Sequence, residues 1–145
     1  MKVGHLAVAL GLTLVACARP GAATTANKRT VEAYMDGFRA TDREKILSCL
    51  TDDVEWEIPG LFHVNGKAAF AEHIVDEGFT GKPEITISRM TEENGVVIAE
   101  GSVRAGRTDG ATMNLVFCDV FEMRDGKIRK LVSYLMDTKS EALPH

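Results

Sequence analysis

Apolar positions recur along the chain with two periods, that of a helix in the first half and that of a strand in the second. Between Asn27 and Ala40 they fall at i, i+3, i+4 and i+7, and charged residues take the opposite side. This spacing predicts an amphipathic helix with one buried face. The apolar positions are Val31, Tyr34, Met35 and Phe38.

Two shorter helices are predicted further along the chain. Thr41 and Glu44 are spaced as a capping box, in which a hydroxyl and a carboxylate satisfy each other's free backbone amides, so a second helix should begin at this point. Phe70 and Ile74 lie four residues apart and predict a third helix over Lys67 to Glu77.

A first strand is predicted before the third helix. The segment Val54 to Ile58 alternates with period two and ends at Pro59-Gly60, which is typical of a half-buried strand. The side chains of Val54, Trp56 and Ile58 would then point inward. The residues between this strand and the third helix, including His63, are predicted to form a loop.

The rest of the chain predicts an antiparallel meander. Asn94-Gly95, Asp109-Gly110 and Asp125-Gly126 supply the positive φ of tight hairpin turns and separate four β-like stretches. The order of elements predicts an α+β fold in which three helices cover one face of a curved, mostly antiparallel sheet. The four strands are Glu84 to Met90, Val96 to Arg104, Ala111 to Arg124 and Lys127 to Met136.

One acidic residue lies in the apolar phase of a predicted strand. Asp119 shares its face with apolar and aromatic residues, because alternate side chains of a strand point the same way. A carboxyl in such surroundings resists ionisation, and a protonated carboxyl can donate a hydrogen bond. The other residues of this face are Met113, Leu115, Phe117, Phe121 and Met123.

Composition indicates one ordinary globular domain. The 145 residues are 45% hydrophobic and 26% charged, and the formal net charge is −4. A chain of this charge lacks the basic surface of a nucleic-acid-binding protein, so no nucleic-acid partner is expected. Three cysteines do not form a disulfide framework, and Cys49 and Cys118, in apolar surroundings, are predicted to be buried thiols, with a disulfide left open.

The N-terminal segment predicts export. Lys2 precedes an apolar run from Leu6 to Ala16, too short to span a bilayer, and no acidic residue occurs before Glu32. The run ends in Leu14-Val15-Ala16-Cys17, which resembles the lipobox of bacterial lipoproteins; a cleaved signal with a cysteine nearby is the alternative. The resemblance implies acylation of Cys17 and a membrane-anchored protein facing the periplasm.

These features divide the chain into four parts. Residues 1–16 are interpreted as a signal peptide and 17–26 as a tether of small residues. Residues 27–138 form the predicted domain, and 139–145 are a C-terminal tail.

Three further features carry a resemblance to a known family. They are the phrase TDDVEWEIPG at 51–60, Gly66 followed by a helix, and the turn Asp125-Gly126-Lys127-Ile128. In this order they resemble the SnoaL-like branch of the nuclear-transport-factor-2-like superfamily. The resemblance implies a cone-shaped α+β barrel around a deep apolar pocket, on which isomerases, cyclases, epoxide hydrolases and non-catalytic binding proteins are built.

The resemblance also implies a candidate site. Tyr34 and Asp119 lie where ketosteroid isomerases carry the two donors of their oxyanion hole. The catalytic base of those enzymes would fall at Ile58, and the last-strand acid of the epoxide hydrolases would fall at Ser133. Both carboxylates are therefore missing from this chain. The structural alternative is that Tyr34 and Asp119 form a buried hydrogen bond within the core and bind no ligand.

Two functions remain open from the sequence. The first is a lipid-anchored module that binds a small hydrophobic ligand without established catalysis. The second is a cofactor-independent isomerase, cyclase or hydratase for a small hydrophobic carbonyl compound, in which Tyr34 and Asp119 are the electrophile and His63 replaces the missing base. No cofactor is expected and no metal-ligand spacing is recognised. The predicted pocket residues are Phe38, Trp56, Ile58, Phe117, Phe121, Ser133 and Leu135.

The outer face of the predicted sheet is more apolar than solvent contact requires. Val116, Val120, Ile128 and Tyr134 are assigned to this face. Members of the resembled family often dimerise through this sheet, so a homodimer is expected.

Overall fold

The computed structural model describes residues 24–74 and 78–138, which form three helices and six strands. The helices are α1 (Ala26–Ala40), α2 (Arg43–Ser48) and α3 (Lys67–Glu72). The predicted signal peptide, Cys17 and the tail 139–145 lie outside the described residues. In the part of the chain that is described, no helix combines the length and apolar character needed to cross a membrane.

The connection between α1 and α2 corrects the predicted capping box. Thr41 ends α1 in the left-handed conformation, with φ 58°, and returns its N–H to carbonyls of the last turn. The N-cap of α2 is Asp42, whose carboxylate accepts from the amide of Lys45 at 2.9 Å. A carboxylate one residue later satisfies the same free amides, so the N-cap is one position after the predicted one and α2 begins at Arg43.

The strands form one curved, unclosed sheet in the order β2-β1-β6-β5-β4-β3. Strands β1 and β6 are parallel and every other neighbouring pair is antiparallel. The predicted α+β class, with three helices on a mostly antiparallel sheet, is confirmed. The strands are β1 (Leu50–Ile58), β2 (Phe62–Asn65), β3 (Phe79–Glu93), β4 (Val96–Arg107), β5 (Thr112–Arg124) and β6 (Lys127–Asp137).

Strand β2 replaces the predicted loop around His63. Its four residues pair with the second half of β1, with Glu57 opposite His63 and Ile58 opposite Phe62. The chain reverses through Gly60, whose φ of 82° is one that L residues rarely adopt. Apolar and polar residues alternate over only these four positions, and so short a pattern does not by itself predict a strand.

The core lies between the helices and the concave face of the sheet. Tyr34 of α1, Phe70 of α3 and Phe121 of β5 are buried together there. Three side chains attach α1 to the sheet: Arg39 Nε donates to the carbonyl of Ile85 at 2.8 Å, Thr30 donates to that of Gly126 at 2.8 Å, and Asn27 donates to the Glu92 carboxylate at 2.7 Å. These bonds fix the position of α1 along the sheet, and with it the place at which Tyr34 faces the strands.

A β-bulge corrects the assignment of Ile128 to the outer face. The β5–β6 register shifts between Glu122 and Met123, so that Ile128 lies opposite Met123 and is fully buried. A one-residue shift turns every following side chain to the other face of the sheet. Val116 and Tyr134 do remain exposed.

The two cysteines of the domain differ in environment. Cys49 is buried, whereas Cys118 is only half-buried on the convex face, and both are free thiols. The prediction of burial therefore holds for Cys49 alone. No disulfide joins them.

Candidate binding site around Asp119

Asp119 lies on the concave face in the middle of the sheet, as its strand phase predicts. It pairs with Ala99 on β4 and with Ser133 on β6, and only 8% of its surface is exposed. Burial raises the pKa of the Asp119 carboxyl to about 7, and hydrogen bonding by Ser133 offsets part of that rise. The carboxyl is therefore neutral over most of the range below pH 7.

One oxygen of this carboxyl has no partner. Oδ1 is buried, and no hydrogen-bond donor or acceptor of the described chain reaches it. A buried polar atom without a partner costs about 1–3 kcal/mol. Within the described residues Thr51 Oγ1 is the only other side-chain atom of this kind. The concave face thus holds a carboxyl oxygen whose bonding capacity is unused.

Tyr34 lies near Asp119 but does not bond to it. Burial raises the pKa of the Tyr34 phenol well above its usual value, and the charge of Asp119 adds to the rise. Among the described residues no hydrogen bond joins the two side chains. The alternative of a buried Tyr34–Asp119 hydrogen bond without a ligand is therefore not supported. The Tyr34 ring instead packs edge-on against Phe38 and Phe121, at centroid distances of 5.1 and 5.6 Å.

Trp56 connects the aromatic core to the polar group. Its indole stacks on Phe70 with centroids 4.6 Å apart and meets Phe62 edge-on at 5.0 Å. Its Nε1–H donates to Ser133 Oγ at 3.3 Å. Because Ser133 lies directly opposite Asp119, three side chains from neighbouring strands form one polar row inside an apolar surface.

An open cavity of about 640 Å³ reaches Ser133 of this row, but Trp56 and Asp119 do not line it, and part of its lining, including Cys118 and Tyr134, lies on the convex face of the sheet. Of the seven predicted pocket residues, Ile58, Phe117, Ser133 and Leu135 line it. Phe38, Trp56 and Phe121 do not: Phe121 is fully buried, and the other two belong to the aromatic core. Ser133 is the residue common to the cavity wall and to the row that contains Asp119.

Other apolar residues line the cavity besides the predicted ones. They come from the turn after β1 and from positions of β5 and β6, several of which face outward on the convex side of the sheet. Five of the six large hydrophobic residues that are exposed in the described chain line this cavity. They are Leu61, Val116, Tyr134, Leu135 and Met136.

Gly101 lines the cavity at a position where a side chain would not fit. A Cβ there would lie 2.0 Å from the carbonyl oxygen of Thr86 and 2.7 Å from the Phe117 ring. The β3–β4 register shifts at this point, between Ile87 and Arg89, which brings the backbones close. Only a residue without a side chain fits.

His63 is not placed to act as a base for this site. In the β1–β2 pair it shares a face with Glu55 and Glu57, opposite in phase to Trp56. Its Nε2 lies 3.8 Å from a Glu55 carboxylate oxygen, on the convex side of the sheet. The role predicted for His63 is therefore not supported, because the strand it lies on turns it away from Asp119.

The position expected for a carboxylate base is apolar. Ile58 is buried against the cavity, and its phase partner along β1 is Trp56. Across residues 24–74 and 78–138, no cluster of three or more His, Cys, Asp or Glu could hold a metal ion. The chemistry of the site thus rests on one neutral carboxyl, one hydroxyl and an apolar surface.

Comparison with known proteins identifies the family. The SnoaL-like domain model matches residues 31–131, and the chain belongs to this family. Comparison with curated proteins found no match.

The fold is shared by several solved structures. A LEH-like epoxide hydrolase of M. tuberculosis is 24% identical, with 78% of this chain and 84% of that chain covered and a TM-score of 0.69. TerC, co-crystallised with polyporic acid, is 29% identical over 75% of this chain and 90% of its own, with a TM-score of 0.68. A nuclear-transport-factor-2-like protein of Burkholderia pseudomallei K96243 is 20% identical over 77% and 92%, with a TM-score of 0.67. The predicted SnoaL-like family is confirmed by the family model, and these structures confirm the predicted fold.

Proposed function

We propose that the protein binds a small hydrophobic molecule that carries one hydrogen-bonding oxygen, with the apolar body in the cavity and the oxygen at Asp119. The observation that carries this proposal is the buried, unpartnered Oδ1 of a carboxyl that is neutral below about pH 7. Asp119 is the next inward residue along β5 after Phe117, which lines the cavity, and Asp119 itself does not line it. Phe117 and Ser133 are buried, so a ligand in the cavity would reach Asp119 only if one of these side chains moved.

The proportions of the site support a ligand of this kind. Small-molecule sites are concave, mostly apolar and equipped with a few polar groups that fix orientation, and their volumes are roughly 300–1,000 Å³. The cavity of about 640 Å³ falls within that range. TerC, which has the same fold, was crystallised with polyporic acid, and this supports a small organic ligand.

Binding without established catalysis is favoured over an isomerase, cyclase or hydratase. A proton-transfer enzyme needs a base within hydrogen-bond reach of its substrate. Ile58 occupies the expected position of that base, and His63 lies on the other side of the sheet. Asp119 would then hydrogen-bond a ligand oxygen without taking part in proton transfer.

The test is ligand binding by matched variants. We expect wild-type protein to bind 1-tetralone, a bicyclic ketone, near pH 6, and Asp119→Leu to bind it at least tenfold more weakly, about 1.4 kcal/mol. Asp53→Leu, at an exposed carboxyl paired with Arg124, is the matched control and should bind like wild type. Equal affinities in all three proteins would show that Asp119 is not the contact. Native mass spectrometry of protein from its own cells should also show a retained lipophile.

We also propose that the protein is exported and anchored through an acylated Cys17. The lipobox resemblance supports this, and two or more acyl chains are needed for stable anchoring. Metabolic labelling with a clickable fatty acid should mark the wild-type protein. Labelling that persists in Cys17→Ser would refute the anchor.

A homodimer formed through the convex face is proposed as the form of the protein in solution. Exposed Val116 and Tyr134, with Met136 on the same face, support it, because apolar patches of this kind often mark protein interfaces. These three residues also line the cavity, so such a dimer would cover that part of its wall. Light scattering at high micromolar concentration should give twice the protomer mass. Tyr134→Lys should shift the mass toward one protomer, and a wild-type monomer would overturn the proposal.

A further inference from the structure

Strand β6 extends beyond the end of its neighbour β1. The last pair between the two strands joins Glu57 to Val132, and the chain then leaves the sheet through the turn at Pro59-Gly60. Strand β6 continues to Asp137. On the side of β1, the last residues of β6 therefore form an open edge in the middle of the sheet.

Leu135 directs its backbone N–H and C=O toward this open edge. Backbone groups of a strand alternate between its two neighbours. Thr138 N–H donates to the carbonyl of Asn114 on β5 at 3.0 Å. The residues in phase with Thr138 are Tyr134 and Met136, and they face β5 as well. Leu135 lies between them and faces the other way, where no residue of the described chain bonds to its backbone.

The open edge lies against apolar residues of the cavity. Leu135 and Met136 line the cavity from β6, and Leu61 lines it from the turn after β1. These residues are 41%, 68% and 75% exposed, so all three retain apolar surface that a neighbouring strand could bury. An unpaired strand segment beside apolar side chains is a site for strand addition, in which backbone bonds supply affinity and side-chain contacts supply specificity.

The segment that follows β6 is long enough to supply such a strand. The C-terminal tail 139–145 lies outside the described residues and follows directly after Thr138. The N–H and the hydroxyl of Thr138 both donate to the Asn114 carbonyl, at 3.0 and 3.2 Å, which fixes the point from which the tail departs. A hairpin needs a loop of only about 2–5 residues, so the tail can return beside Leu135.

The tail sequence favours one register. A loop of three residues, 138–140, is a common hairpin length and would place Leu143 opposite Leu135. The two leucines could then exchange both backbone hydrogen bonds. Pro144 would fall opposite Tyr134, which already bonds to β5, so the missing N–H of the proline would cost no bond.

Other loop lengths place Pro144 where a donor is required. A loop one residue longer would bring Pro144 opposite Leu135, to which it could not donate. A loop one residue shorter would bring it opposite Ser133, which again is a bonding position, at the level where β1 ends. The three-residue loop is therefore the length that fits both the edge and the sequence.

We propose that residues 141–144 add to the open edge of β6 as an antiparallel strand, and that this strand regulates the cavity by covering its Leu61 and Leu135 side. The Leu143 side chain would be buried on the face of Leu135, in space that a ligand would otherwise use. Competition with a ligand rests on the proposed function, whereas the pairing of the strand does not.

One charge pair keeps this strand displaceable. Glu141 would lie opposite Asp137, and like charges directly opposite each other are destabilising. A ligand of modest affinity could then displace the strand. Glu141→Lys replaces the repulsion by an attraction and should strengthen the pairing.

Amide hydrogen exchange tests the pairing without any ligand. The full chain is compared with a chain that ends at Thr138. We expect the Leu135 amide to exchange at least about tenfold faster in the shortened chain, because its acceptor is lost. The Met136 amide faces β5 in both chains and is the matched control. Equal rates at Leu135, or an equal acceleration at Met136 through fraying of the strand end, would overturn the proposal.

Two proline substitutions test the register. Leu143→Pro removes the donor opposite Leu135 and should accelerate exchange of the Leu135 amide at least about threefold. Ala142→Pro is the control, because the N–H of residue 142 would face away from β6, and it should leave the rate within about twofold. The reverse order of effects would refute this register. Protection that rises with protein concentration would assign the edge to the tail of a second copy and would also refute the proposal.

Ligand binding tests the regulation. Calorimetry with 1-tetralone should give at least about threefold tighter binding to the chain that ends at Thr138, because no strand has to be displaced. Glu141→Lys in the full chain should weaken binding. Equal affinities of the full and shortened chains would refute the regulation. If neither chain binds 1-tetralone, the proposed function fails, and the exchange rates still decide whether the strand is paired.

Discussion

Replacing Asp119 by asparagine should change the pH dependence of stability in a defined direction. The pKa of this carboxyl rises from 3.8 to about 7 on folding because burial disfavours its charged form. A raised pKa contributes stability that is complete below the unfolded-state value and is lost as pH rises through the folded-state value. Wild-type protein should therefore lose stability from this group between about pH 4 and pH 7, and asparagine should not.

The size of the effect follows from the shift. Each unit of pKa difference corresponds to about 1.4 kcal/mol. Between pH 5 and a folded-state pKa of about 7 lie roughly two units, which gives about 3 kcal/mol. The free energy of unfolding of Asp119→Asn minus that of wild type should thus be about 3 kcal/mol larger at pH 8.5 than at pH 5, which means that the variant is relatively more stable at the higher pH.

Urea denaturation measures this difference, with the fluorescence of the single tryptophan, Trp56, as the probe. Other titrating groups are common to both proteins and cancel in the comparison. Asp53→Asn is the matched control: the Arg124 hydrogen bond lowers the pKa of Asp53 to about 2, so this carboxyl is ionised in both states across the window. A difference that stays constant within about 0.5 kcal/mol between the two pH values would refute burial of an ionisable Asp119.

Three further substitutions test the helical layer by thermal or urea denaturation. Gly37→Ala should destabilise by about 1–3 kcal/mol, because a Cβ would lie 2.6 Å from Ile46 Cγ1, and unchanged stability would contradict this close helix contact. Asp42→Ala should cost about 1 kcal/mol by removing the N-cap bond to Lys45, and a neutral result would mean that another group caps α2. Thr41→Gly should stabilise by up to about 1 kcal/mol, since φ is 58° there, and a loss of stability would argue against the left-handed cap.

The inward position of Asp119 was predictable because side-chain alternation within one strand is a local property. Each apolar residue from Met113 to Met123 marks the same face, and a carboxyl in that phase must share it. The three helices and the turns at Asn94-Gly95 and Asp125-Gly126 were predictable for the same reason. The cap at Asp42 and the length of α3 differed, because helix ends depend on which neighbouring group satisfies the free amides.

Contacts between distant segments depended on pairing that no local pattern reveals. The bond from Trp56 to Ser133 joins residues 77 positions apart and exists because β1 runs parallel to β6. The short strand β2 turned His63 to the convex side, and a bulge turned Ile128 inward. Local periodicity therefore established the elements and the face of the key carboxyl. Which groups meet that carboxyl was decided by strand order and register, since these are selected by the packing of the whole domain.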